Sequence, residues 1–371
     1  MDRIRLFKVF TPPNLGETLQ RDVFDTEMLT EGKWADAFEE GMGQLVGTKN
    51  TVLMNSCTAA LTIAYRLSGV GPGKEVICTP MTCMATNEPV DTLGGDIVWA
   101  DIDPNTGNID PDDIEQLITD KTVAISAVHW AGTPFNMKAV YAIARRHKLK
   151  VIDDAAHALG AQYQGELIGS SAYSDFSCFS FQAIKHLTTD DGGMLTCRLD
   201  ADAKRARELR WFGLNRKYVG SKWEQDIAES GYKFHMNDIN ARIGVAQLPH
   251  SSRLLMLHRA NAHHYKRAID NSRVQKLDEP TTNYTSSSHW IYTIKVDDRE
   301  AFKKHMDTHD IDVDVVHVRN DNYSAFKRFK KRELPGCDEF CSSMINIPVG
   351  WWLTTIDVNR VIDAVNSYGV K

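Results

Sequence analysis

The chain has 371 residues, of which 42% are hydrophobic and 25% are charged, and its formal net charge is −6. This length and composition are sufficient for one large hydrophobic core and a second, smaller one. The negative charge excludes a global attraction to nucleic acid or to an anionic membrane, so any phosphate must be bound by local basic groups or backbone amides.

The N-terminal residues and the cysteines indicate the compartment. Residues 1–8 carry scattered charges and no apolar signal-like stretch, and no apolar run reaches the roughly 18 residues of a membrane span. Several of the seven cysteines, such as Cys78, lie in apolar strand-like runs, as reduced core cysteines do. Cys337 and Cys341 lack a neighbouring His or Cys pair, so we predict no metal site. We expect a cytoplasmic protein.

The first candidate site element lies in residues 51–65. An apolar strand-like run ends at Asn55, small hydroxyl residues follow it, and an apolar helix is predicted from about Ala59. Amides and hydroxyls would then converge on a helix N-terminus and form an anion cup. The same pattern is also typical of a core helix with an ordinary Ser or Thr cap.

Strand-like and helical runs alternate from about residue 75 to residue 198. The predicted helices include 110–119, with an Asp cap and Pro111 at its first position, and 136–147. The predicted strands are 75–79, 96–103, 122–130, 149–154, 175–181 and 192–198. This order is typical of βαβ units and predicts an α/β fold with a mostly parallel sheet.

A carboxylate and a histidine follow the predicted strand 149–154. Asp154 would emerge at the carboxyl end of that strand, where open α/β sheets bind ligands. The alanines after it leave room for a flat ring, so His157 can lie against a ring while Asp154 meets a ring nitrogen. The alternative is an acidic strand-to-helix turn with a structural histidine.

Lys185 follows the predicted strand 175–181 and precedes a loop rich in Thr, Asp and Gly. A lysine delivered by a buried strand into such a loop can be partly desolvated, which lowers its pKa and suits it to Schiff-base chemistry. Taken alone, the pattern is weak evidence, because most lysines beside such a turn are solvated surface charges.

The C-terminal third has a different pattern. A long helix is predicted at 251–271, a strand at 289–296, a helix at 299–309 and a closing helix at 354–367. These elements predict a small α+β domain. We therefore divide the chain into a large domain, 1–248, whose N-terminal segment is free to pack on the small domain, and a small domain, 249–371.

The three site elements, in this order, resemble the sugar-nucleotide aminotransferases of the DegT family, which are pyridoxal 5′-phosphate (PLP) enzymes of fold type I. The resemblance covers nearly the whole chain and implies a mostly parallel seven-stranded sheet. Further matching stretches are Leu29-Thr30-Glu31-Gly32-Lys33, Gly71-Pro72-Gly73, Asp101-Ile102-Asp103, Val128-His129-Trp130-Ala131-Gly132, Gly231-Tyr232-Lys233-Phe234-His235-Met236-Asn237-Asp238 and Asn346-Ile347-Pro348.

The resemblance implies roles for individual residues. Lys185 would form the Schiff base with PLP and relay protons, Asp154 would hold the pyridine nitrogen protonated, and His157 would stack on the ring where many relatives have Gln. The residues implied at the cofactor phosphate are Ser56, Cys57, Thr58, Ala59 and Ser180.

Several positions depart from the family pattern. Cys83 stands where an aromatic residue commonly covers the other face of the ring. Lys233 replaces an asparagine that reaches the cofactor phosphate of the neighbouring subunit, which implies a homodimer with shared active sites. His317 and Arg319 lie in a stretch that differs from that of many relatives. We treat them, with His186, as candidate substrate ligands, and a surface role for Arg319 is the alternative.

The leading hypothesis is a PLP-dependent aminotransferase that moves an amino group, from L-glutamate as the first candidate, onto a nucleoside-diphosphate-linked keto sugar. An aminocyclitol-forming aminotransferase would share every cofactor residue. A PLP sugar dehydratase of the same family is disfavoured because those enzymes carry His in place of Lys185. A catalytically silent regulatory or scaffold protein has no chemical need for both Lys185 and Asp154.

Overall fold

A seven-stranded sheet forms the centre of the fold, and the computed structural model describes residues 2–216, 218–279 and 285–369. The strands are β1 (Thr51–Met54), β2 (Glu75–Cys78), β3 (Asp96–Trp99), β4 (Thr122–Val128), β5 (Lys150–Asp154), β6 (Gln162–Tyr163), β7 (Glu166–Leu167), β8 (Phe176–Ser180), β9 (Gly193–Cys197), β10 (Val274–Lys276), β11 (Tyr292–Val296) and β12 (Met344–Ile347). The α-helices are α1 (Leu15–Asp22), α2 (Lys33–Val46), α3 (Cys57–Leu67), α4 (Met84–Thr92), α5 (Pro111–Glu115), α6 (Met137–His147), α7 (Asp200–Leu209), α8 (Asp238–Ala268), α9 (Arg299–Thr308), α10 (Pro335–Ser343) and α11 (Thr355–Ser367).

The strand order in the large sheet is β1-β9-β8-β5-β4-β2-β3. The five strands from β8 to β3 pair in parallel, and β9 pairs antiparallel with both β8 and β1. The prediction of a mostly parallel seven-stranded sheet is therefore confirmed. The central strands are buried almost throughout, because helices cover both faces of the sheet.

The register of the sheet gathers several predicted site residues at one edge. Asp154, the last residue of β5, pairs with Val128 and Cys178. Ser180, the last residue of β8, pairs with Gly193, and Gly193 also pairs with Met54 at the end of β1. Three strands therefore end at the same side of the sheet: β1, which leads into the predicted anion cup, β5, which ends with Asp154, and β8, which leads into the turn that contains Lys185.

A second, three-stranded antiparallel sheet has the order β10-β11-β12. It shares a separate hydrophobic cluster with α9, α11 and the C-terminal part of α8. The N-terminal segment joins this cluster, because Ile4 pairs in a parallel bridge with Ile311. The proposed domain division between residues 248 and 249 falls inside α8 and stays a prediction.

The predicted long helix begins too late. The structure starts α8 at Asp238, thirteen residues before the predicted start at Ser251, and the side chain of Asn237 caps it by accepting a hydrogen bond from the Asn240 amide at 2.9 Å. Pro249 lacks an amide donor and ordinarily breaks a helix, so the local sequence does not favour a helix that runs through it. Here Pro249 lies within the helix.

Two other elements are shorter than predicted. The strand predicted at 96–103 ends at Trp99, and the amide of Asp101 bonds to the Asp113 carboxylate at 2.8 Å instead of continuing a ladder. The helix predicted at 110–119 ends at Glu115, and the Thr119 amide bonds to the Thr122 hydroxyl at 2.9 Å in the turn that leads into β4.

Buried histidines give a first prediction, which concerns stability in acid. His258 is 3% exposed and its Nδ1 lies 2.9 Å from the His289 carbonyl, and burial lowers the pKa of His258 to about 4. In the unfolded chain His258 binds a proton near its ordinary pKa of 6.5. The contribution of the neutral, buried His258 to the unfolding free energy is therefore complete above pH 6.5 and declines as the pH falls toward 4, because protons bind the unfolded chain more strongly over that range. At pH 5 the loss from this group is about 2 kcal/mol.

The variant His258→Asn tests this expectation, because its amide nitrogen reproduces the Nδ1–H donor but does not titrate. Urea unfolding at pH 7.5 and at pH 5 should show a smaller drop in unfolding free energy for the variant than for the parent. Equal drops would show that His258 does not contribute to the acid sensitivity.

Candidate active site

Asp154 is buried at the end of β5, and both of its carboxylate oxygens accept a hydrogen bond. One accepts from the Thr86 hydroxyl at 2.6 Å and the other from the Ala156 amide at 3.0 Å. Since Thr86 gives its only hydroxyl proton to Asp154, Thr82, 2.7 Å away, must donate to Thr86. Burial raises the pKa of Asp154, while these donors oppose the rise. The carboxylate is held in a fixed orientation.

Lys185 lies in the turn after β8, where its amide bonds to the Gln182 carbonyl at 2.9 Å. The residue is half-buried, but its ammonium group is desolvated, and burial lowers the pKa of Lys185 to about 8. The negative charge of Asp154 opposes that shift and is outweighed. A lysine with this pKa is present partly as the neutral amine near neutral pH, as a nucleophile or proton acceptor requires.

His157 presents a buried ring that interacts electrostatically with Lys185, and the region formed by Asp154, His157, Lys185 and Trp290 is called the cleft below. Its ring stacks on the indole of Trp290, with the centroids 3.9 Å apart and the planes at 15°. Its Nε2 lies 3.4 Å from Nε2 of His317, and the two imidazole planes differ by 4°, so the rings lie edge to edge. Burial holds the pKa of His157 well below its ordinary value, so the ring is neutral. Its Nδ1 has no hydrogen-bond partner among the described residues.

The predicted anion cup is the turn between β1 and α3. The helix begins at Cys57, two residues before the predicted start, and the Ser56 hydroxyl caps it by accepting from the Ala59 amide at 3.0 Å. Thr58 lies half-buried in the first turn of α3, where helix amides are free of intrahelical partners.

Gly193 brings β9 against this turn. A Cβ atom at Gly193 would lie 2.3 Å from the Ser56 carbonyl carbon and 2.4 Å from the Cys57 amide nitrogen. Only a residue without a side chain permits that approach. Ser180, which pairs with Gly193, therefore lies near the cup, and its hydroxyl accepts a 3.4 Å hydrogen bond from the Gln182 amide.

Cys83 and Lys233 are both exposed. Cys83 immediately precedes α4, and its side chain makes no capping hydrogen bond. The backbone at Lys233 lies beside the cup of its own chain, since its carbonyl is 3.4 Å from Nδ2 of Asn55 and the next carbonyl, of Phe234, accepts from the Asn55 amide at 2.7 Å. The cofactor roles of Cys83 and Lys233 stay predictions.

The three candidate substrate ligands have different surroundings. His317 lies in the cleft beside His157. His186 is buried, with its Nε2 3.0 Å from the Ser288 carbonyl. Arg319 makes two 2.8 Å hydrogen bonds to Asp321 and one to Asp338, so its charge is already compensated. These contacts favour His317 over the other two, and all three substrate roles stay predictions.

Two residues of the cleft, Thr86 and Trp290, were not identified from the sequence. Trp290 lies within the run predicted as the strand 289–296, and Thr86 lies at the start of α4. Thr82 lies before α4 and Thr86 lies within it, and the spacing of the two threonines in the sequence does not indicate which strand end their hydroxyls meet.

The groups that surround this site fit PLP. A buried carboxylate can meet the pyridine nitrogen, a neutral imidazole with a free Nδ1 can lie against the ring, and a helix N-terminus can receive the phosphate. Within residues 2–216, 218–279 and 285–369, no group of three or more His, Cys, Asp and Glu side chains could hold a metal ion. The same residues contain no helix that is long and apolar enough to cross a membrane.

Comparison with known proteins gives consistent matches along the whole chain. The model of the DegT/DnrJ/EryC1/StrS aminotransferase family matches residues 17–366. The spore coat polysaccharide biosynthesis protein SpsC of Bacillus subtilis (strain 168) is 32% identical over an alignment 381 positions long, which covers 97% of each chain.

Two solved structures are also similar. The chain superposes on AtS13 from Actinomadura melliaura with a TM-score of 0.94 at 36% identity, covering 99% of both chains. For the sugar aminotransferase CalS13 from Micromonospora echinospora the TM-score is 0.93 at 33% identity, over 98% of this chain and 99% of that one.

Proposed function

Because the chain belongs to the DegT/DnrJ/EryC1/StrS aminotransferase family, and is thus a PLP-dependent aminotransferase, we propose that it aminates a keto sugar carried on a nucleoside diphosphate. L-Glutamate is the proposed amino donor. The observation that carries the proposal is that a lysine of lowered pKa and an oriented, buried carboxylate interact electrostatically in one cleft. The sugar class is supported by similarity to CalS13, a sugar aminotransferase, and to SpsC, a polysaccharide biosynthesis protein.

PLP, when bound, supplies an electron sink for the carbon that loses or gains the amino group. Asp154 would keep a proton on the pyridine nitrogen, because its carboxylate is fixed by Thr86 and Ala156 and lies in a desolvated place where a charged partner is favoured. His157, neutral and buried, would support one face of the ring without adding a competing positive charge. The cup at Ser56–Ala59 would bind the phosphate through helix amides.

Lys185 would hold the cofactor and then move a proton at its Nζ between substrate and cofactor carbons. Its pKa of about 8 suits both tasks, since the neutral amine and the ammonium are both well populated near neutral pH. Binding in the cleft would also exclude water, because His157, Trp290 and Asp154 are each at most 3% exposed.

A two-part assay tests the proposed function. Incubation of the PLP-loaded enzyme with L-glutamate alone should bleach the absorbance of the lysine-bound cofactor and release 2-oxoglutarate. Subsequent addition of nucleoside-diphosphate keto sugars should restore the absorbance, and the product should carry a new amine by mass spectrometry.

The same assay separates the alternatives. Restoration by a keto-inositol and not by nucleotide-linked sugars would favour the aminocyclitol-forming enzyme. Bleaching by a different amino acid would revise only the donor. A protein that binds PLP but shows no bleaching with any amino acid would be the silent scaffold.

We propose further that the enzyme is a homodimer in which Lys233 serves the active site of the partner subunit. Lys185→Ala and Lys233→Ala subunits, each of low activity alone, should then recover activity when they are mixed and exchanged, because one site of the heterodimer is intact. Lys233→Ala should also weaken PLP retention by about 1 to 3 kcal/mol. The measurement is turnover of the mixture against each variant alone.

The position of the Lys233 backbone beside Asn55 makes the opposite outcome informative. If Lys233 serves the cup of its own chain, each subunit of the heterodimer still carries a substitution in its own site. Neither site is then intact, and mixing restores no activity. Mixed subunits carrying different affinity tags would verify that exchange took place. Exchange without recovery, or an active monomer, would contradict the shared site.

A further inference from the structure

Trp290 connects the elements of the cleft through one side chain. It is 2% exposed, and its indole Nε1–H donates a 2.9 Å hydrogen bond to the carbonyl of Ile184, the residue before Lys185. Its ring stacks on His157 at 3.9 Å and on Phe7 at 5.1 Å. The indole is therefore fixed by contacts with three separate parts of the chain.

The Lys185 ammonium lies over this fixed ring. Its Nζ is 3.7 Å from the centroid of the Trp290 ring, well inside the roughly 6 Å within which a cation and an aromatic face attract. Indole is the strongest of the aromatic side chains in this interaction, and desolvation strengthens it further. The contact favours the charged amine in a place where burial favours the neutral one.

We propose that Trp290 is a positioning residue for Lys185, with the indole face holding the lysine amine whenever that amine is not bonded to the cofactor. The hydrogen bond to Ile184 sets the backbone from which the lysine side chain extends, and the π face sets where its Nζ rests. The inference rests on the proposed role of Lys185 as the cofactor lysine.

Trp290 also links Lys185 to His157. His157, which is proposed to lie against the cofactor ring, stacks on the same indole that holds Lys185. A shift of Trp290 would therefore move the Lys185 amine and the His157 ring together. This arrangement would hold the unbonded Lys185 amine and the His157 ring in a fixed relation to each other.

The indole acts on a lysine that has several other titratable neighbours, which any measurement of the Lys185 amine will also sense. The groups that interact electrostatically with Lys185 are Asp154, Cys57, Cys83, His157, His186 and His317. Because His157 also stacks on the indole, the comparison uses Trp290→Phe, which keeps an aromatic ring against His157. A graded fall in the midpoint from Trp to Phe to Leu then reports on the π face.

The test is the titration of Lys185 in the cofactor-free protein, followed by its rate of acylation at each pH and located by peptide mapping. Leucine keeps the position apolar but offers no π face, so Trp290→Leu should lower the titration midpoint by about 0.5 to 1 pH unit. Trp290→Phe, with a weaker π face, should lower it by less. In the PLP-loaded enzyme, Trp290→Leu should lower kcat about tenfold with the donor KM within about twofold.

Trp352→Leu is the matched control, since Trp352 is half-buried and its Nε1–H also donates to a carbonyl, that of Arg5 at 3.0 Å. It should leave the Lys185 midpoint unchanged. A folded Trp290→Leu protein with an unchanged or raised midpoint would overturn the proposal and make Trp290 a core residue only. If the leucine variant does not fold, an unchanged midpoint in Trp290→Phe overturns it.

The two parts of the experiment separate this proposal from the proposed function. The titration needs neither cofactor nor substrate, so a wrong sugar or donor leaves its result intact. Conversely, if borohydride trapping of the PLP-loaded enzyme shows that another lysine bonds PLP, the proposed role of Lys185 fails even where the Trp290 shift is observed.

Discussion

Replacing Lys185 with alanine should abolish turnover, with a loss of at least about four orders of magnitude, because the substitution removes both the nucleophile that holds the cofactor and the group that moves the proton. The absorbance of the lysine-bound cofactor should disappear as well. Folding should be little affected, since the residue is half-buried in a turn and its backbone hydrogen bond to Gln182 does not depend on the side chain.

Borohydride reduction of the PLP-loaded parent, followed by peptide mapping, identifies the bonded lysine directly. The label should appear on Lys185, and Lys138→Ala, which alters an exposed lysine on α6, should retain full activity. A label on a different lysine would refute the assignment even if Lys185→Ala is inactive.

Asp154→Asn should fold and should lose about a hundredfold or more in kcat. Asparagine keeps the shape and can accept the Ala156 hydrogen bond through its carbonyl oxygen, but it cannot stabilise a protonated pyridine nitrogen. Steady-state turnover and circular dichroism on the same preparation measure the two parts of the expectation. A variant within about threefold of the parent rate would show that Asp154 is structural, because that change is under 1 kcal/mol in the barrier.

Asp153→Asn provides a matched control for this substitution. Asp153 is buried next to Asp154 on the same strand, but its carboxylate faces the other side of the sheet, where it accepts a 3.1 Å hydrogen bond from Ser177 and lies 3.8 Å from His129. This variant should change stability more than kcat. Equal losses of activity from the two variants would indicate a general effect of disturbing β5.

The sequence could predict the parallel sheet and the neighbourhood of Asp154, His157 and Lys185 because these depend on short local patterns. Asp154 ends β5, His157 follows β5 and Lys185 follows β8, and parallel strands bring their carboxyl ends to one edge of the sheet. The family and the aminotransferase activity predicted from the resemblance are confirmed by the whole-chain match.

The contacts that orient these groups could not be predicted, because they join distant segments. Trp290 meets the backbone at Ile184, and Thr86 meets Asp154, only after the sheets and helices have packed. The same applies to Arg319, whose compensation by Asp338 on α10 is not visible in its local sequence. The late start predicted for α8 has a different cause, since Pro249 is a genuine local signal that tertiary packing overrides.

The approach of Gly193 to the Ser56–Cys57 backbone has a consequence for protein engineering. The turn and the strand fit each other without space for a single methyl group, so neither can be exchanged alone for the corresponding segment of a relative with a different backbone path. A chimera intended to alter the phosphate cup would have to transplant residues 55–59 and 192–193 as one unit.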